Sequence, residues 1–198
     1  MKSNISSLIL TAGLSTRMGE FKPLLKFNNI TFLENIINKI LLVSEEIIIV
    51  TGYRHKEIEC LIFDKYDNNP QIKIVYNAQY DKPMFVSLQT GLQEVNNNNW
   101  VLYHFIDQPI IPQEFYSQFI NQIDMESEFI QPTYKTKKGH PLLFNFKFAK
   151  HLLNSDITSN LRDEIWKTDL KKKYWECIFP QILKDFDTPD DYNKIYEV

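Results

Sequence analysis

The residues Thr11-Ala12-Gly13-Leu14-Ser15-Thr16-Arg17-Met18-Gly19-Glu20-Phe21-Lys22 combine small side chains with two cations at fixed spacing, directly after the apolar run Leu8-Ile9-Leu10. Arg17 offers a planar fork that matches phosphate oxygens, and Lys22 a mobile point charge. Ala12, Gly13 and Gly19 carry little or no side chain, which lets a ligand approach the backbone closely. Together they suit a cradle for a nucleoside triphosphate. The same residues also fit an ordinary strand-to-helix loop bearing two solvated cations. Two familiar phosphate loops are excluded. A P-loop requires G-x-x-x-x-G-K-[ST], whereas the interval from Gly13 to Gly19 is one residue too long and is followed by Glu20. A dinucleotide fingerprint requires G-x-G-x-x-G, and its third glycine is absent.

Asp107 ends the apolar run 101–106 and precedes Gln108-Pro109. A carboxylate there suits one ligand of Mg²⁺, with phosphates and water completing the octahedron. An aspartate opening a turn before proline has the same pattern. Ser87, near a helix start, has a hydroxyl to donate to a base or ribose, or is simply a helix-terminal serine. Neither a Ser-His-Asp nor a Cys-His arrangement is evident. Phosphoryl chemistry does not require one, because a phosphate monoester with second pKa near ~6 is a ready nucleophile at neutral pH. The protein's task is then to position an α-phosphate and to neutralise the charge of departing pyrophosphate.

Such a loop belongs at the end of the first strand of an open α/β sheet, where these folds bind ligands. The pattern along the chain agrees. Strands are expected over residues 7–11, 46–51, 72–76 and 101–106, and helices over 32–43, 54–63, 84–95 and 112–123. This alternation predicts a doubly wound, mainly parallel sheet. After Gln131 the rhythm changes. Short strands are expected around Phe129 and Leu142, flanking a polar, lysine-rich stretch 134–139. Helices follow over 146–153 and 160–170, then a strand over 174–179 and a closing helix over 189–196. Asn96 to Asn99 reads as a surface turn.

The 198 residues suit one domain. Residues 1–125 would form a nucleotide-binding half, and 126–198 a small C-terminal extension that binds an acceptor and closes the fold. The net charge of −3 argues against non-specific nucleic-acid binding. No run approaches a membrane span, and the N-terminus lacks a signal-peptide core. Cys60 and Cys177 lie far apart in sequence and read as reduced thiols of a cytoplasmic protein.

The first loop resembles the signature of the nucleotidyltransferases that attach a nucleotide to molybdopterin, and further blocks of that family follow in order. They are Val50-Thr51-Gly52-Tyr53-Arg54, Ser87-Leu88-Gln89-Thr90-Gly91-Leu92, Asp107-Gln108-Pro109, Gly139-His140-Pro141-Leu142-Leu143-Phe144, Thr158-Ser159-Asn160-Leu161-Arg162 and Asp185-Phe186-Asp187-Thr188-Pro189-Asp190-Asp191-Tyr192. The resemblance implies a Rossmann-like nucleotidyltransferase with Arg17, Lys22 and Asp107 as catalytic groups. It implies that Leu10, Thr11, Ala12, Gly13 and Ser87 line the nucleotide site, and that His140, Asn160 and Arg162 face the acceptor. His140 also reads as a structural histidine, and Asn160 with Arg162 as a plain helix start. Mg²⁺ would be held by Asp107 and a late aspartate, Asp187, although Asp187 or Thr188 also suits the cap of the helix starting at Pro189.

Members that transfer a guanylyl group tend toward L-A-G-G, and those that transfer a cytidylyl group carry alanine at the third position. Here the run is Leu10-Thr11-Ala12-Gly13. The Ala12 methyl is therefore expected to crowd a purine, CTP and molybdopterin to be the substrates, and a molybdenum hydroxylase apo-enzyme to receive the product. A nucleotidyltransferase acting on a sugar or alcohol phosphate, and a non-catalytic accessory protein that inserts the cofactor, are the alternatives. The chain departs from the family at Pro83 and Ile106, where glycine is common, and at Asn154-Ser155-Asp156-Ile157, which lacks a Gly-Asp-x-Gly run.

Overall fold

Strand β1 (Ile5–Leu10) is paired on both edges by parallel strands and buried on both faces by the layers packed against the sheet. The computed structural model describes residues 4–96 and 100–197. The expected turn at Asn96 to Asn99 therefore lies mostly outside the described residues. Asn96 itself donates from its backbone and side chain to Glu46.

After β1 come the short strands β2 (Lys26–Phe27) and β3 (Ile30–Thr31), helix α1 (Phe32–Ile40), β4 (Glu46–Thr51), α2 (His55–Tyr66), β5 (Ile72–Tyr76), α3 (Met84–Leu92), β6 (Trp100–Phe105) and α4 (Gln113–Ile120). The second part supplies β7 (Phe129–Tyr134), β8 (Lys137–Lys138), β9 (Leu142–Phe144), α5 (Phe146–Asn154), α6 (Leu161–Lys167), β10 (Lys172–Glu176) and α7 (Pro189–Asn193). The main sheet has the order β10-β7-β9-β6-β1-β4-β5, with β8 paired to β7. In this path only β9 runs antiparallel to its neighbours. The extension expected after residue 125 thus takes the form of strands added to the same sheet.

Alternate residues of each strand feed two apolar layers. Ile9, Ile47, Ile49 and Leu102 meet α1, α2 and α4 through Ile36, Ile58 and Phe115. Leu8, Ile48, Val50 and Tyr103 meet α3 and α5 on the opposite face through Leu88 and Phe148. Burying one such side chain contributes about 1.5–3 kcal/mol, an upper value set against an extended chain. Helix α1 begins abruptly at Thr31, whose hydroxyl accepts the Glu34 N–H at 3.1 Å while the Glu34 carboxylate takes the Thr31 N–H at 2.8 Å. A third cluster joins Met18 and Phe32 to Phe186 and Ile195, so the tail returns to the first loop.

The register sets the site. Leu10 is level with Val50 on β4 and Phe105 on β6, and Val50 is level with Val75 on β5. The segments after all four strands therefore leave from one edge of the sheet. Among the described residues, no helix is long and apolar enough to cross a membrane.

Candidate active site

A cleft of about 300 Å³ opens along that edge. Leu10, Thr11, Ala12 and Gly13 line it together with Arg17, Lys22, Ser87 and Asp107. Thr11 is fixed by its N–H and hydroxyl, both donated to the Val50 carbonyl at 2.8 and 2.9 Å. A side-chain carbon placed on Gly13 would meet nothing within 4 Å, so the backbone there is open to a ligand.

Four charged side chains meet at one end. The Lys22 ammonium contacts the Asp187 carboxylate and lies 3.8 Å from Asp107 Oδ2. Arg17 reaches the other Asp187 oxygen at 2.7 Å. Lys22 is not the mobile surface charge its sequence context suggests. It opens a 3₁₀ turn, its N–H bonds the Ser15 hydroxyl at 3.2 Å, and its side chain is only 9% exposed. The cause is nonlocal, because its partner is 165 residues away. Arg17 stays 71% exposed. Burial pushes the Asp107 carboxyl up to about 6, against the pull of Lys22 and with the push of Asp185 and Asp187.

The tail distinguishes its aspartates by partner. Thr188 caps α7 and receives Asp191 in return. Asp185 accepts from Gln108 at 2.7 Å. Asp187 is left to face Lys22 and Arg17. Asp107 and Asp187 therefore offer oxygen ligands beside a phosphate-sized cleft. No group of three or more His, Cys, Asp or Glu side chains capable of holding a metal occurs among the described residues. Two carboxylates with phosphates and water suit Mg²⁺, which is seldom held by protein ligands alone.

Two expectations change in detail. Ala12 is 2% exposed, and a carbon placed on Gly52 would lie 3.0 Å from its methyl and 2.2 Å from Cβ of Tyr80. The methyl is thus largely covered, on the side where Gly52 and Tyr80 approach it. Ser87 is buried, and its oxygen accepts from Asn77 at 2.9 Å, which leaves its hydroxyl proton to donate. Tyr80 and Lys82 also line the cleft, Lys82 beside the departure at Pro83 and Tyr80 with no motif of its own. For Tyr80 the one available signal was its place just before α3.

A second cleft of about 470 Å³ adjoins the first, and Met84 and Phe105 line both. His140, Asn160 and Arg162 line the second cleft, with Lys138, Lys172, Trp166 and Tyr174. His140 packs edge-on to Phe105 at 4.3 Å, and burial lowers its affinity for a proton. Its Nδ1 is buried without a hydrogen-bond partner. Asn160 caps α6 by accepting from Asp163 at 2.9 Å. Gly139 has no room for a side chain, since an added carbon would sit 2.6 Å from the Ile182 carbonyl oxygen. Trp166 and Lys172 were not anticipated here; they come from α6 and β10 and share only the wall of this cleft.

The doubly wound sheet, the cation-bearing loop after β1 and the aspartate after β6 suit a nucleotidyltransferase, and the family match shows that class. The chain belongs to the family of the MobA-like NTP transferase domain, whose model matches residues 7–168. It is 28% identical to the molybdenum cofactor cytidylyltransferase of Escherichia coli K12, over 96% of this chain and 94% of that one. It is 26% identical to a probable molybdenum cofactor guanylyltransferase of Bacillus cytotoxicus, over 98% and 88%. A nucleotidyl transferase from Methanothermobacter superposes with a TM-score of 0.81 at 22% identity, over 98% and 96%. Asp187 lies beyond the stretch matched by the family.

Proposed function

We propose that the protein transfers CMP from CTP to the phosphate of molybdopterin, giving molybdopterin cytosine dinucleotide and pyrophosphate. A single observation carries this reading: Arg17, Lys22 and Asp107, with Asp187 ion-paired behind the two cations, line a cleft that shares the walls Met84 and Phe105 with a second, more apolar one. One cleft suits a triphosphate and the other an acceptor. An oxygen of the acceptor phosphate attacks the α-phosphorus, and the bond to the β-phosphate oxygen breaks. The acceptor is already a dianion, so no side chain need remove a proton.

Lys22 and Arg17 take triphosphate oxygens and neutralise the charge that moves onto pyrophosphate. The backbone of residues 10–13 passes beneath the nucleotide, and the Ser87 hydroxyl donates to it. Mg²⁺ held by Asp107 and Asp187 would supply charge neutralisation at the same phosphates. In the second cleft, Trp166 and Tyr174 offer flat faces to a fused ring, and Lys138, Arg162 and Lys172 offer cations to its phosphate. The choice of CTP rests on alanine at position 12, the residue found in cytidylyl-transferring members, and on the Escherichia coli relative. A molybdenum hydroxylase apo-enzyme is the expected recipient.

Pyrophosphate release should be followed with Mg²⁺ and molybdopterin, comparing CTP, GTP and ATP. Release with CTP alone is expected. Release with GTP instead overturns the base assignment and keeps the class of reaction. No release with any nucleotide, from folded protein and intact acceptor, overturns the acceptor and favours a sugar or alcohol phosphate or the accessory role.

A further inference from the structure

We infer that Lys39 is a positioning residue: through the Pro109 carbonyl it holds the turn after β6 that aims Asp107 into the nucleotide cleft. The inference rests on the proposed nucleotidyl transfer and adds to it a residue that touches no substrate.

Helix α1 gives Ile36, Ile37 and Ile40 to the core, and all three are fully buried. Lys39 stands beside them, half-buried, and its ammonium donates to the Pro109 carbonyl at 2.6 Å. Its own carbonyl accepts from the Gln113 side chain at 3.1 Å, so one residue of α1 grips the turn at Pro109 and again at the first residue of α4. Burial lowers the amine to about 8, and among the described residues no carboxylate is ion-paired with it. A charge taken from water without a counter-ion costs stability, and such local conflicts are kept where function needs them. Lys39 lines neither cleft, so it acts through the turn.

The neighbouring carbonyls of the turn are held as well. His104 is fully buried, and burial takes its ring down to about 3, so the ring is neutral. The Phe105 carbonyl can only accept, so Nδ1 carries the proton and donates at 2.8 Å, and Nε2 accepts the Tyr116 hydroxyl at 2.7 Å. The same Phe105 carbonyl takes the Gln108 N–H at 3.4 Å, and the Asp107 carbonyl takes the Phe186 N–H at 2.9 Å. Carbonyls 105, 107 and 109 are thus fastened by β6 itself, by the tail and by Lys39. Asp107 lies between the outer two, so loss of the Pro109 tie frees the turn on one side of it. A lysine that merely joined α1 to α4 forecasts something else: its removal would loosen the whole fold evenly, with no selective effect on the turn.

The test uses the full chain. Lys39→Met keeps the apolar stem and removes the donor, whereas Lys39→Arg keeps a charged donor. Two measurements are paired: amide hydrogen exchange at Phe186, read by NMR without substrate, and steady-state pyrophosphate release. In Lys39→Met the Phe186 amide should exchange about tenfold faster as the turn opens more often. The Asn77 amide, bound to the Thr51 carbonyl at 2.8 Å, lies after the far edge strand β5 and should keep its native rate. The kcat should fall on the order of tenfold through misplacement of Asp107. The KM for nucleotide should stay near native, because Arg17 and Lys22 belong to the loop after β1. Lys39→Arg should restore most of both. Should Lys39→Met fail to fold, Lys39→Gln, one bond shorter, replaces it with the same expected outcome. Native exchange at Phe186 in the folded variant overturns the inference. So does exchange that quickens equally at Phe186 and Asn77, or a native kcat. If Phe186 responds as expected and the native protein releases pyrophosphate from no nucleotide, the proposed reaction fails and the hold of Lys39 on the turn stands.

Discussion

The backbone N–H of Phe186 donates to the carbonyl of Asp107 at 2.9 Å, which fastens the C-terminal tail to the turn after β6. The ring of Phe186 is buried edge-on against Phe32 and joins the cluster that holds Met18 of the first loop. One residue therefore links the loop, the β6 turn and Asp187. Phe186→Ala should cost about 3–5 kcal/mol of stability by opening a cavity. It should also weaken metal-dependent nucleotide binding, while Phe186→Leu keeps most of both. Chemical denaturation paired with nucleotide titration separates the two effects. Full nucleotide affinity in a destabilised Ala variant would show that the tail does not hold the site.

The position of Tyr80 depends on the missing side chain of Gly52. A carbon added there would lie 2.2 Å from Tyr80 Cβ and 2.7 Å from Cγ, and neither can yield without moving the segment after β5. Gly52→Ala should cost about 1–3 kcal/mol through overpacking. Because Tyr80 lines the nucleotide cleft, the displaced ring should raise the KM for nucleotide more than it lowers kcat. Steady-state kinetics with nucleotide varied at saturating acceptor would read this, and an unchanged KM would count against Tyr80 as a wall of the nucleotide site.

Much of this arrangement was legible in the sequence, and the limits have physical causes. The strands expected over 46–51 and 72–76 match β4 and β5 residue for residue: β4 is a buried, nearly continuous apolar run, and β5, at the sheet's edge, is a short β-branched run bounded by turn residues. The β10 strand was expected over 174–179 and runs over Lys172–Glu176, since its register is set by β7, with Lys172 opposite Phe129. Strands β2 and β3 have two residues each, too few to show a period. The residues of the site were chosen from local motifs. Burial of Lys22 could not be read that way, because its partner Asp187 is remote in sequence. Covering of the Ala12 methyl likewise involves Gly52 and Tyr80, from the segments after β4 and β5.

Asp107 gives a pH dependence with a definite sign. Its carboxyl is raised from the ordinary 3.8 to about 6, chiefly by burial. The folded protein therefore holds a proton that the unfolded chain has lost, and stability falls as pH rises from about 4 to about 6. Asp107→Asn should remove that slope and raise the melting temperature at neutral pH relative to the native protein. Turnover should fall on the order of 10²-fold, as expected when charge stabilisation at a reacting phosphate is lost. Melting curves at several pH values with pyrophosphate release at pH 7 check both. A variant that melts lower at neutral pH would show that the Lys22 contact outweighs the cost of burying the charge.

Glu164 lies outside the charged cluster and holds α6 against α5. Its carboxylate accepts from Ser159 and, at 2.9 Å, from Ser155, and it meets His151 Nε2 at 2.7 Å. The Ser159 hydroxyl is the first cause of a carboxyl held down to about 2. A depressed carboxyl contributes stability above its ordinary 4.5 that is lost as pH falls toward about 2. Glu164→Gln replaces one acceptor oxygen by a donor that Ser155, Ser159 and His151 cannot all accommodate, at a cost of about 1–3 kcal/mol. Helix α6 carries Arg162, Ile165 and Trp166 into the second cleft, whereas the nucleotide cleft draws no residue from it. The variant should therefore raise the KM for the acceptor and leave the KM for the nucleotide near its native value. The same kinetic assay, run with each substrate varied in turn, decides this. Equal increases in both constants would mean that the two clefts are coupled through α6 and do not bind their substrates independently.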